Sequence, residues 1–305
     1  MAIFVTGAAG FIGRNTLPLL LREHHSVVAL EHREKVLPPC DRHLTIVPGS
    51  LAALDDGAIA SLRECGTLLH LAGGTTPASS ADAPLLDVHE NLLPTLKLLE
   101  AARESRVRRV VFLSSGGTVY GPPTYIPIDE NHPTHPSSPY GVVKLATEHL
   151  IRIWALQHGV EYRILRASNP YGPHQRPHGN QGVIGVWLNR AVEGLPLAIW
   201  GDGSVTRDYL FVQDVAAALV AACVDGNIPS GTYNVGSGTG LTLLDIAAEI
   251  GRAIGTPPRI EFKPARPYDV PVNILNHHRF SQACGWAPVV PLREGIRLTL
   301  DWIQS

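Results

Sequence analysis

The chain has 305 residues, of which 45% are hydrophobic and 17% are charged, with a formal net charge of −2 at pH 7. This length accommodates a nucleotide-sized domain and a smaller second lobe. The near-neutral charge, without a long basic run, argues against nucleic acid and anionic membranes as partners. No apolar run approaches the roughly 18 residues of a membrane-spanning helix, and an apolar strand pattern at the start leaves no room for a signal peptide. We therefore expect a cytoplasmic protein.

Cysteines and histidines give no sign of a metal site. The four cysteines, at positions 40, 65, 223 and 284, are scattered without C-x-x-C spacing, which is typical of reduced thiols. Among the fourteen histidines, the pairs His24-His25 and His277-His278 are adjacent and would point apart, and no H-x-x-x-H helix occurs. The sequence therefore predicts no bound metal.

The first element is an apolar strand that runs directly into a glycine turn. Ile3 to Val5 lead into Gly7, Gly10 and Gly13, so the spacing is G-x-x-G-x-x-G. Glycines at these places allow a tight turn, a close approach to a pyrophosphate and close packing of the following helix, whose free N–H groups meet the phosphates. The next apolar strand ends at Glu31, eighteen positions after Gly13, where a dinucleotide fold places a carboxylate for the adenosine ribose.

The rest of the first half alternates between short apolar runs and helical spacing. This alternation predicts a doubly wound parallel sheet, an α/β fold. Further strands are expected at residues 44–47, 67–72, 107–114 and 162–167, and helices at 55–64, 91–102 and about 139–158. Pro18 falls inside the first helix, where we expect a kink or an early bend.

A tyrosine and a lysine stand one helical turn apart after the fifth strand. Ser138 and Pro139 have the character of an N-cap and a first helical residue, so Tyr140 and Lys144 share one face of the helix that follows. A lysine ammonium and an oxidised nicotinamide near the hydroxyl would favour phenolate and lower the tyrosine pKa from about 10. Such a phenolate can remove a proton from a sugar or alcohol hydroxyl while hydride leaves for the nicotinamide ring.

Seven motifs are distributed over essentially the whole chain. They are Thr6-Gly-Ala-Ala-Gly-Phe-Ile-Gly13, His70-Leu-Ala72, Ser114-Ser-Gly-Gly-Thr-Val-Tyr-Gly121, Ser138-Pro-Tyr-Gly-Val-Val-Lys144, Arg166-Ala-Ser-Asn-Pro-Tyr-Gly-Pro173, Gly201-Asp-Gly-Ser-Val-Thr-Arg-Asp208 and Tyr233-Asn-Val-Gly236. In this order they make the chain resemble the extended short-chain dehydrogenases, in the NAD-dependent epimerase/dehydratase branch typified by UDP-glucose 4-epimerase.

The resemblance implies a Rossmann-type sheet with a smaller mixed α/β C-terminal lobe. Residues 1–172 would form the dinucleotide-binding domain, to which residues about 208–238 return, and residues 173–305 would bind the nucleotide sugar. Helices near 88–104 and 140–158 are where this family forms a two-fold bundle, so a homodimer is expected.

The resemblance also assigns roles to individual residues. Tyr140 would be the catalytic base and Lys144 would bind the nicotinamide ribose. The NAD-binding set would comprise Gly7, Gly10, Phe11, Ile12, Gly13, Glu31, Ser50, Leu51, Leu71, Ala72, Gly73, Asn91, Tyr140 and Lys144. The nucleotide-diphosphate sugar would be held by Asn169, Val183, Trp200, Arg207, Arg266 and Asp269, with the two arginines suited to a diphosphate.

Several positions that depart from the family pattern carry information. The hydroxyl that usually contacts the reacting sugar oxygen is replaced by Gly116, so we expect Thr118, on the same face by strand alternation, or else Ser115 to replace it. Gly117 and Thr118 stand where dehydratases carry an Asp-Glu pair, which argues against dehydration.

The other departures concern the cofactor and the sugar. Ser50 replaces an aspartate that commonly contacts adenine, and Arg33 follows Glu31 by two residues, so NADP is an alternative cofactor although Glu31 would repel a 2′-phosphate. Asn273 occupies a position that gates the sugar 2-substituent in related epimerases, and its size does not decide between acetamido and hydroxyl.

Three functions follow as hypotheses. The first is an NDP-hexose 4-epimerase that acts through a transient 4-keto sugar with bound NAD. The second is an NAD(P)H-dependent reductase of NDP-4-keto-6-deoxysugars, which would use the same residues once. The third, a non-catalytic dinucleotide sensor, conflicts with the intact tyrosine–lysine pair.

Overall fold

The computed structural model describes residues 2–31, 41–175, 182–265 and 270–305. Its strands, in chain order, are β1 (Ile3–Thr6), β2 (Val27–Glu31), β3 (Leu44–Pro48), β4 (Thr67–His70), β5 (Arg109–Ser115), β6 (Glu161–Ala167), β7 (Asn169–Tyr171), β8 (Leu197–Trp200), β9 (Thr206–Phe211), β10 (Gly231–Val235), β11 (Gly240–Thr242), β12 (Ile260–Lys263) and β13 (Val272–Asn273). Its α-helices are α1 (Phe11–Arg22), α2 (Asp56–Arg63), α3 (Pro77–Asp82), α4 (Pro84–Asp87), α5 (Leu93–Ala102), α6 (Pro139–His158), α7 (Val183–Val192), α8 (Val212–Val224), α9 (Leu243–Ile254), α10 (His278–Cys284) and α11 (Leu292–Gln304).

The main sheet confirms the predicted doubly wound parallel fold. Seven of the described strands pair in the order β10-β6-β5-β4-β1-β2-β3, and every pairing is parallel. The chain moves from β1 outward to β3 and then returns to the other side of β1 with β4. The crevice outside the carboxyl ends of β1 and β4 is therefore the topological switch point, where such sheets bind ligands.

Alternating residues of the central strands supply a core on each face of the sheet. Ile3 and Val5 pack with α1, α8 and α10 on one face, whereas Phe4 packs with α2, α5 and α6 on the other. The strands are apolar on both sides because helices cover both sides. This arrangement fixes the carboxyl ends of β1, β4 and β5 at one edge of a rigid layer.

The helix over the switch region begins earlier than its sequence pattern predicts. The predicted helix at 91–102 is the last part of a longer helical run, in which α4 passes through a π-helical turn at Val88–Leu92 into α5. Such a turn widens the helix locally and is frequent at functional sites. Asn91 lies within it.

Two other helices follow their local signals. Helix α6 begins after Ser138, whose side chain accepts from the amide of Gly141 at 3.2 Å, and ends at Gly159 with a φ of 64°. Helix α1 extends past Pro18 to Arg22, with Gly10 as its N-cap.

The second half adds a smaller mixed α/β lobe, as predicted. Strand β9 pairs parallel with β7 and β13 and antiparallel with β11, and β8 pairs parallel with β12. Side chains from these strands form a separate core with α7, α9 and α11. Within the described ranges, no helix combines the length and the apolar character needed to cross a membrane.

Candidate active site

The glycine turn after β1 is compact because two backbones meet there. Gly7 has a φ of 75°, and a Cβ atom added to it would lie 2.7 Å from the amide nitrogen of Ala72. The amide of Gly10 donates to the Gly7 carbonyl at 3.0 Å, and a Cβ at Gly13 would collide with the carbonyl oxygens of Gly7 and Ala8. The first turn of α1 therefore lies directly against the end of β1, with its N–H groups suited to an anion.

The predicted ribose carboxylate lies beside this turn. Ala9 donates its amide hydrogen to Glu31 Oε2 at 3.2 Å. Phe11 and Ile12, the first residues of α1, are partly buried, as is Leu51. Ser50 closes a local turn, since its hydroxyl accepts from the Ala52 amide at 3.3 Å. Arg33, on which the NADP alternative depends, lies outside the described residues.

The loop after β4 is held by Asn91, which the π-helical turn presents to it. Asn91 Oδ1 accepts from the Gly74 amide at 2.8 Å, and its Nδ2 donates to Thr75 Oγ1 at 2.7 Å and to Asp87 Oδ1 at 2.5 Å. The amide of Leu71 donates to the Thr6 carbonyl at 3.1 Å. The predicted cofactor-lining segment Leu71–Gly73 is thereby fixed next to the glycine turn.

A buried histidine connects β1, β4 and α5. His70 Nδ1 lies 2.7 Å from Thr6 Oγ1, and His70 Nε2 lies 2.9 Å from Thr95 Oγ1. Because the Thr95 hydroxyl donates to the Asn91 carbonyl, it accepts from Nε2, so the Nε2–H tautomer satisfies every partner. Burial, with a smaller effect of Lys144, lowers the His70 pKa to about 3, and the ring is neutral.

The tyrosine and lysine of α6 lie at the carboxyl ends of β4 and β5. Lys144 Nζ donates to the Leu113 carbonyl at 3.1 Å and lies 5.8 Å from the centroid of the Tyr140 ring. A Cβ added at Gly73 would lie 4.0 Å from Lys144 Nζ, so the loop after β4 faces the ammonium group. The structure thus brings together the glycine turn, the Asn91-braced loop and the Tyr140–Lys144 face.

The electrostatics of this pair differ from the sequence-based expectation. Burial, together with the negative charge of Asp87, raises the pKa of Tyr140 to about 12. Burial lowers the pKa of Lys144 to about 8, although Asp87 and Glu148 act in the opposite direction. The expected lowering of the tyrosine pKa is therefore not produced by the protein's own groups, because burial and the charge of Asp87 both favour the protonated phenol.

The hydroxyl groups after β5 are arranged differently from the prediction. Strand β5 ends at Ser115, and the Thr118 amide donates to the Ser115 carbonyl at 3.3 Å in a turn. The alternation argument for Thr118 is wrong, because alternation requires a continuing strand. Thr118 Oγ1 is buried and has no hydrogen-bond partner among the described residues. A Cβ added at Gly117 would lie 3.9 Å from Ser115 Oγ and 3.8 Å from Asn169 Oδ1, so these two polar atoms flank Gly117.

The predicted substrate residues spread over the second lobe. Asn169 Nδ2 donates to the Asp208 carbonyl at 2.9 Å, and Arg207 donates to the Val270 carbonyl at 2.6 Å, which places both beside β9. Val183 begins α7 and Trp200 ends β8. Arg266 and Asp269 lie outside the described residues.

The residue expected to gate the sugar 2-substituent is almost wholly buried. Asn273 is 1% exposed and donates from Nδ2 to the Gly116 carbonyl at 3.1 Å, while its Oδ1 has no partner among the described residues. It therefore supports the turn after β5 directly.

Comparison with known proteins identifies the family. The sequence profile of the NAD dependent epimerase/dehydratase family matches residues 3–236. The chain is a member of this family. The resemblance inferred from the motifs is thereby confirmed.

Similar proteins cover the whole chain. The UDP-glucose 4-epimerase of Mycolicibacterium smegmatis is 35% identical over 312 residues, which cover 100% of this chain and 99% of that protein. The Thermus thermophilus UDP-glucose 4-epimerase, solved in complex with NAD, has a TM-score of 0.91 and 34% identity, covering 100% of this chain and 99% of that one. The Thermotoga maritima UDP-glucose 4-epimerase, solved with UDP-glucose, has a TM-score of 0.92 and 32% identity at the same coverage.

One acidic residue of the site was not identified from the sequence. Asp87 is fully buried beside the Tyr140–Lys144 face, and its only sequence signal is its position one helical turn before Asn91. That spacing becomes informative only when both residues are known to share one helical run.

Proposed function

We propose that this family member is an NAD-dependent nucleotide-sugar 4-epimerase, an isomerase that inverts C4 of a hexose joined to a nucleoside diphosphate. The observation that carries the proposal is the convergence of Tyr140 and Lys144 with the glycine turn at the switch point of the sheet. The similar proteins are named UDP-glucose 4-epimerases, and UDP-glucose is therefore the first substrate to test. The reductase alternative has less support, since these relatives act without net redox change.

The residues present fit a bound dinucleotide. The glycine turn leaves no side chain between the end of β1 and the loop after β4, and Glu31 lies beside the turn, where its Oε2 accepts from the Ala9 amide. A carboxylate at the end of the second strand is the usual partner of an adenosine ribose. Within the binding set proposed from the sequence, the glycine turn would hold the pyrophosphate, and Glu31 with the segment near Ser50 and Leu51 would hold the adenosine. Leu71–Gly73, Asn91 and Lys144 would surround the nicotinamide ribose.

In the proposed reaction, Tyr140 accepts the proton of the C4 hydroxyl and later returns it to the 4-keto sugar. Bound NAD supplies the acceptor and donor of hydride. Lys144 is within one turn of Tyr140 and opposes the effect of burial on its phenol, because a cation favours the phenolate. The sugar must turn over about its diphosphate between the two transfers, so C4 meets the same tyrosine from both faces.

A hydroxyl that contacts the reacting sugar oxygen is proposed at Ser115. Its Oγ lies beside Gly117 on the same side as Asn169 Oδ1, whereas the Thr118 hydroxyl is enclosed. We expect Ser115→Ala to lower kcat by about 10-fold or more and Thr118→Val to lower it less, since one removed hydrogen bond to a reacting oxygen has an effect of this size. The opposite order would assign the role to Thr118.

We also propose which ligand each lobe binds. Residues 1–172, with 208–238, would hold the dinucleotide. The nucleotide sugar would lie against residues 173–305, with the diphosphate near Arg207 and Asn169 and the nucleoside between Val183 and Trp200. Arg266 and Asp269 are retained as predicted contacts. A cytoplasmic location is likewise proposed, consistent with the described cysteines, which are all free thiols.

The function is tested with the purified protein and no added cofactor. The protein is incubated with UDP-, dTDP- and GDP-hexoses, and interconversion at C4 is followed by NMR. Tyr140→Phe is expected to keep bound NAD and to lose at least about 100-fold in rate, as expected for the loss of a general base. Tyr125→Phe, at an exposed tyrosine, is the matched control. Turnover of 4-keto sugars with NADPH, in place of C4 interconversion, would support the reductase, and dinucleotide binding without any turnover would support the sensor.

We also propose a homodimer through α4, α5 and α6. These helices expose several large apolar side chains, namely Leu85, Leu86, Leu93, Val142, Ile153 and Leu156. Exposed apolar side chains of this kind are typical of association surfaces. Sedimentation velocity should show a dimer for the unmodified protein and a monomer for Leu156→Glu, with Val289→Glu at a remote exposed site as the control. A monomeric unmodified protein would refute this part.

A further inference from the structure

Asp87 is a fully buried carboxylate without a paired cation. Its Oδ1 accepts from Thr75 Oγ1 at 2.8 Å and from Asn91 Nδ2 at 2.5 Å, and its Oδ2 accepts from Ser80 Oγ at 2.5 Å. All three donors are neutral groups, and among the described residues Asp87 forms no ion pair. Acceptance from three donors suits the ionised carboxylate. A buried charge that is stabilised only by neutral hydrogen-bond donors destabilises the folded state, and a role in function would account for its presence.

The carboxylate faces the same narrow cavity as the catalytic pair. This cavity is lined by His70, Asp87, Asn91, Thr95, Tyr140 and Lys144, among others. Lys144 is the one cation on the described part of its wall, and its Nζ bonds the Leu113 carbonyl rather than the carboxylate. The charge of Asp87 is therefore left to act across the cavity on Tyr140 and Lys144.

The other titratable groups around the pair do not offset this charge. His70, from β4, is neutral. Glu148, one turn after Lys144 on α6, is paired with Arg166, whose NH2 group lies 2.6 Å from Glu148 Oε2. The carboxylate of Glu90, from the π-helical turn, lies against Gly74 on the exposed side of the loop.

We propose that Asp87 is a positioning residue whose negative charge sets the proton affinity of the Tyr140–Lys144 pair. This inference deepens the proposed epimerase function and rests on it for its catalytic meaning. A nearby negative charge favours the protonated form of both groups. Asp87 therefore helps to keep Lys144 charged although Lys144 is buried. It also disfavours the Tyr140 phenolate, which then depends on the positive charges of Lys144 and of the oxidised nicotinamide in the proposed reaction.

The direct test measures the titration of Lys144 in the purified protein, with no cofactor or substrate added. The chain contains only four lysines, at positions 35, 97, 144 and 263, so ¹³C-lysine NMR resolves each side chain, and Lys144→Arg assigns the signal. In Asp87→Asn we expect the Lys144 midpoint to fall by about one pH unit, the usual size of a neighbouring-charge effect. The substitution is isosteric, and the Ser80 hydroxyl can reverse to accept from the new amide. Asp87→Ser provides a second neutral variant if the amide disturbs folding.

Two matched controls separate charge from structure. Ser80→Ala removes one hydrogen bond from the carboxylate and leaves its charge, and Asp82→Asn removes an exposed charge on the neighbouring helix α3. Both should leave the Lys144 midpoint in place. An unchanged midpoint in both Asp87 variants, or an equal shift in Ser80→Ala, would overturn the proposal.

The pH profile of epimerisation supplies the second readout. Removal of the Asp87 charge should move both the acid and the alkaline limb of kcat/KM to lower pH by about one unit, because the pKa values of Tyr140 and Lys144 fall together. A purely structural role would lower the profile without displacing it, and that outcome would overturn the proposal. If the Lys144 midpoint shifts but the unmodified protein epimerises no sugar nucleotide, the charge effect stands and the proposed function fails.

Discussion

Gly116 offers a sharp test of how this site is packed. Restoring the hydroxyl common in the family, by Gly116→Ser, is expected to destabilise the protein. A Cβ at this position would lie 2.5 Å from Leu275 Cδ1 and 3.2 Å from the Arg166 carbonyl oxygen. Carbon atoms in contact prefer about 3.5–4.0 Å, so Leu275 would have to move by about 1 Å. It is fully buried in a cluster with Val119, Tyr120 and Ile128, which hinders that movement.

The expected loss in the free energy of unfolding is about 1–3 kcal/mol, the usual cost of overpacking a filled core. Thermal and urea denaturation measure it. Gly117→Ser is the matched control, because the nearest atoms to its Cβ lie at 3.8 and 3.9 Å, an ordinary contact distance, and a change within about 0.5 kcal/mol is expected there.

A double-mutant cycle with Leu275→Ala identifies the responsible contact. Leu275→Ala alone should cost about 2–5 kcal/mol, and in that background Gly116→Ser should cost at least about 1 kcal/mol less than in the unmodified protein. Equal stability of Gly116→Ser and Gly117→Ser, or additive effects in the cycle, would refute the steric explanation of the missing hydroxyl.

Three further predictions concern the charges of the site. Lys144→Met should move the acid limb of kcat/KM to higher pH by about one unit, because loss of the ammonium raises the Tyr140 pKa, and initial rates across pH check this. Glu148→Gln should lower the free energy of unfolding by about 3–5 kcal/mol in urea, because it leaves the buried Arg166 guanidinium unpaired, and a loss below about 1 kcal/mol would contradict this. The pKa of His70 is about 3 in the folded protein, below its ordinary value of 6.5. Below pH 6.5 the unfolded chain therefore binds a proton that the folded protein does not, and the free energy of unfolding falls by about 1.4 kcal/mol per pH unit until the pH nears 3. The decline in stability measured between pH 6.5 and 4 should accordingly be shallower in His70→Gln, and equal slopes would refute the assignment of a neutral ring.

Several features of the protein were determined by local sequence. The apolar run of β1 and the glycines that follow it determine the turn into α1. The ends of α6 are set by Ser138 and Gly159, because cap residues act within one helical turn. The parallel sheet follows from alternating strands and helices, since short βα connections leave few topologies. The place of Tyr140 and Lys144 on one helical face follows from spacing alone.

Other features were decided only by the tertiary structure, because they depend on residues far apart in the chain. Leu275 and the Arg166 carbonyl fill the space beside Gly116, which leaves little room for a side chain there. Thr118 does not follow the strand alternation, because β5 ends at Ser115. The pKa of Tyr140 rises because burial and Asp87 act together, and neither is visible in a local motif. The sequence thus determined which chemical groups this protein carries and on which helices and strands they lie, whereas packing determined their surroundings. The reason is that desolvation and Coulomb interactions depend on distances in space and not on spacing along the chain.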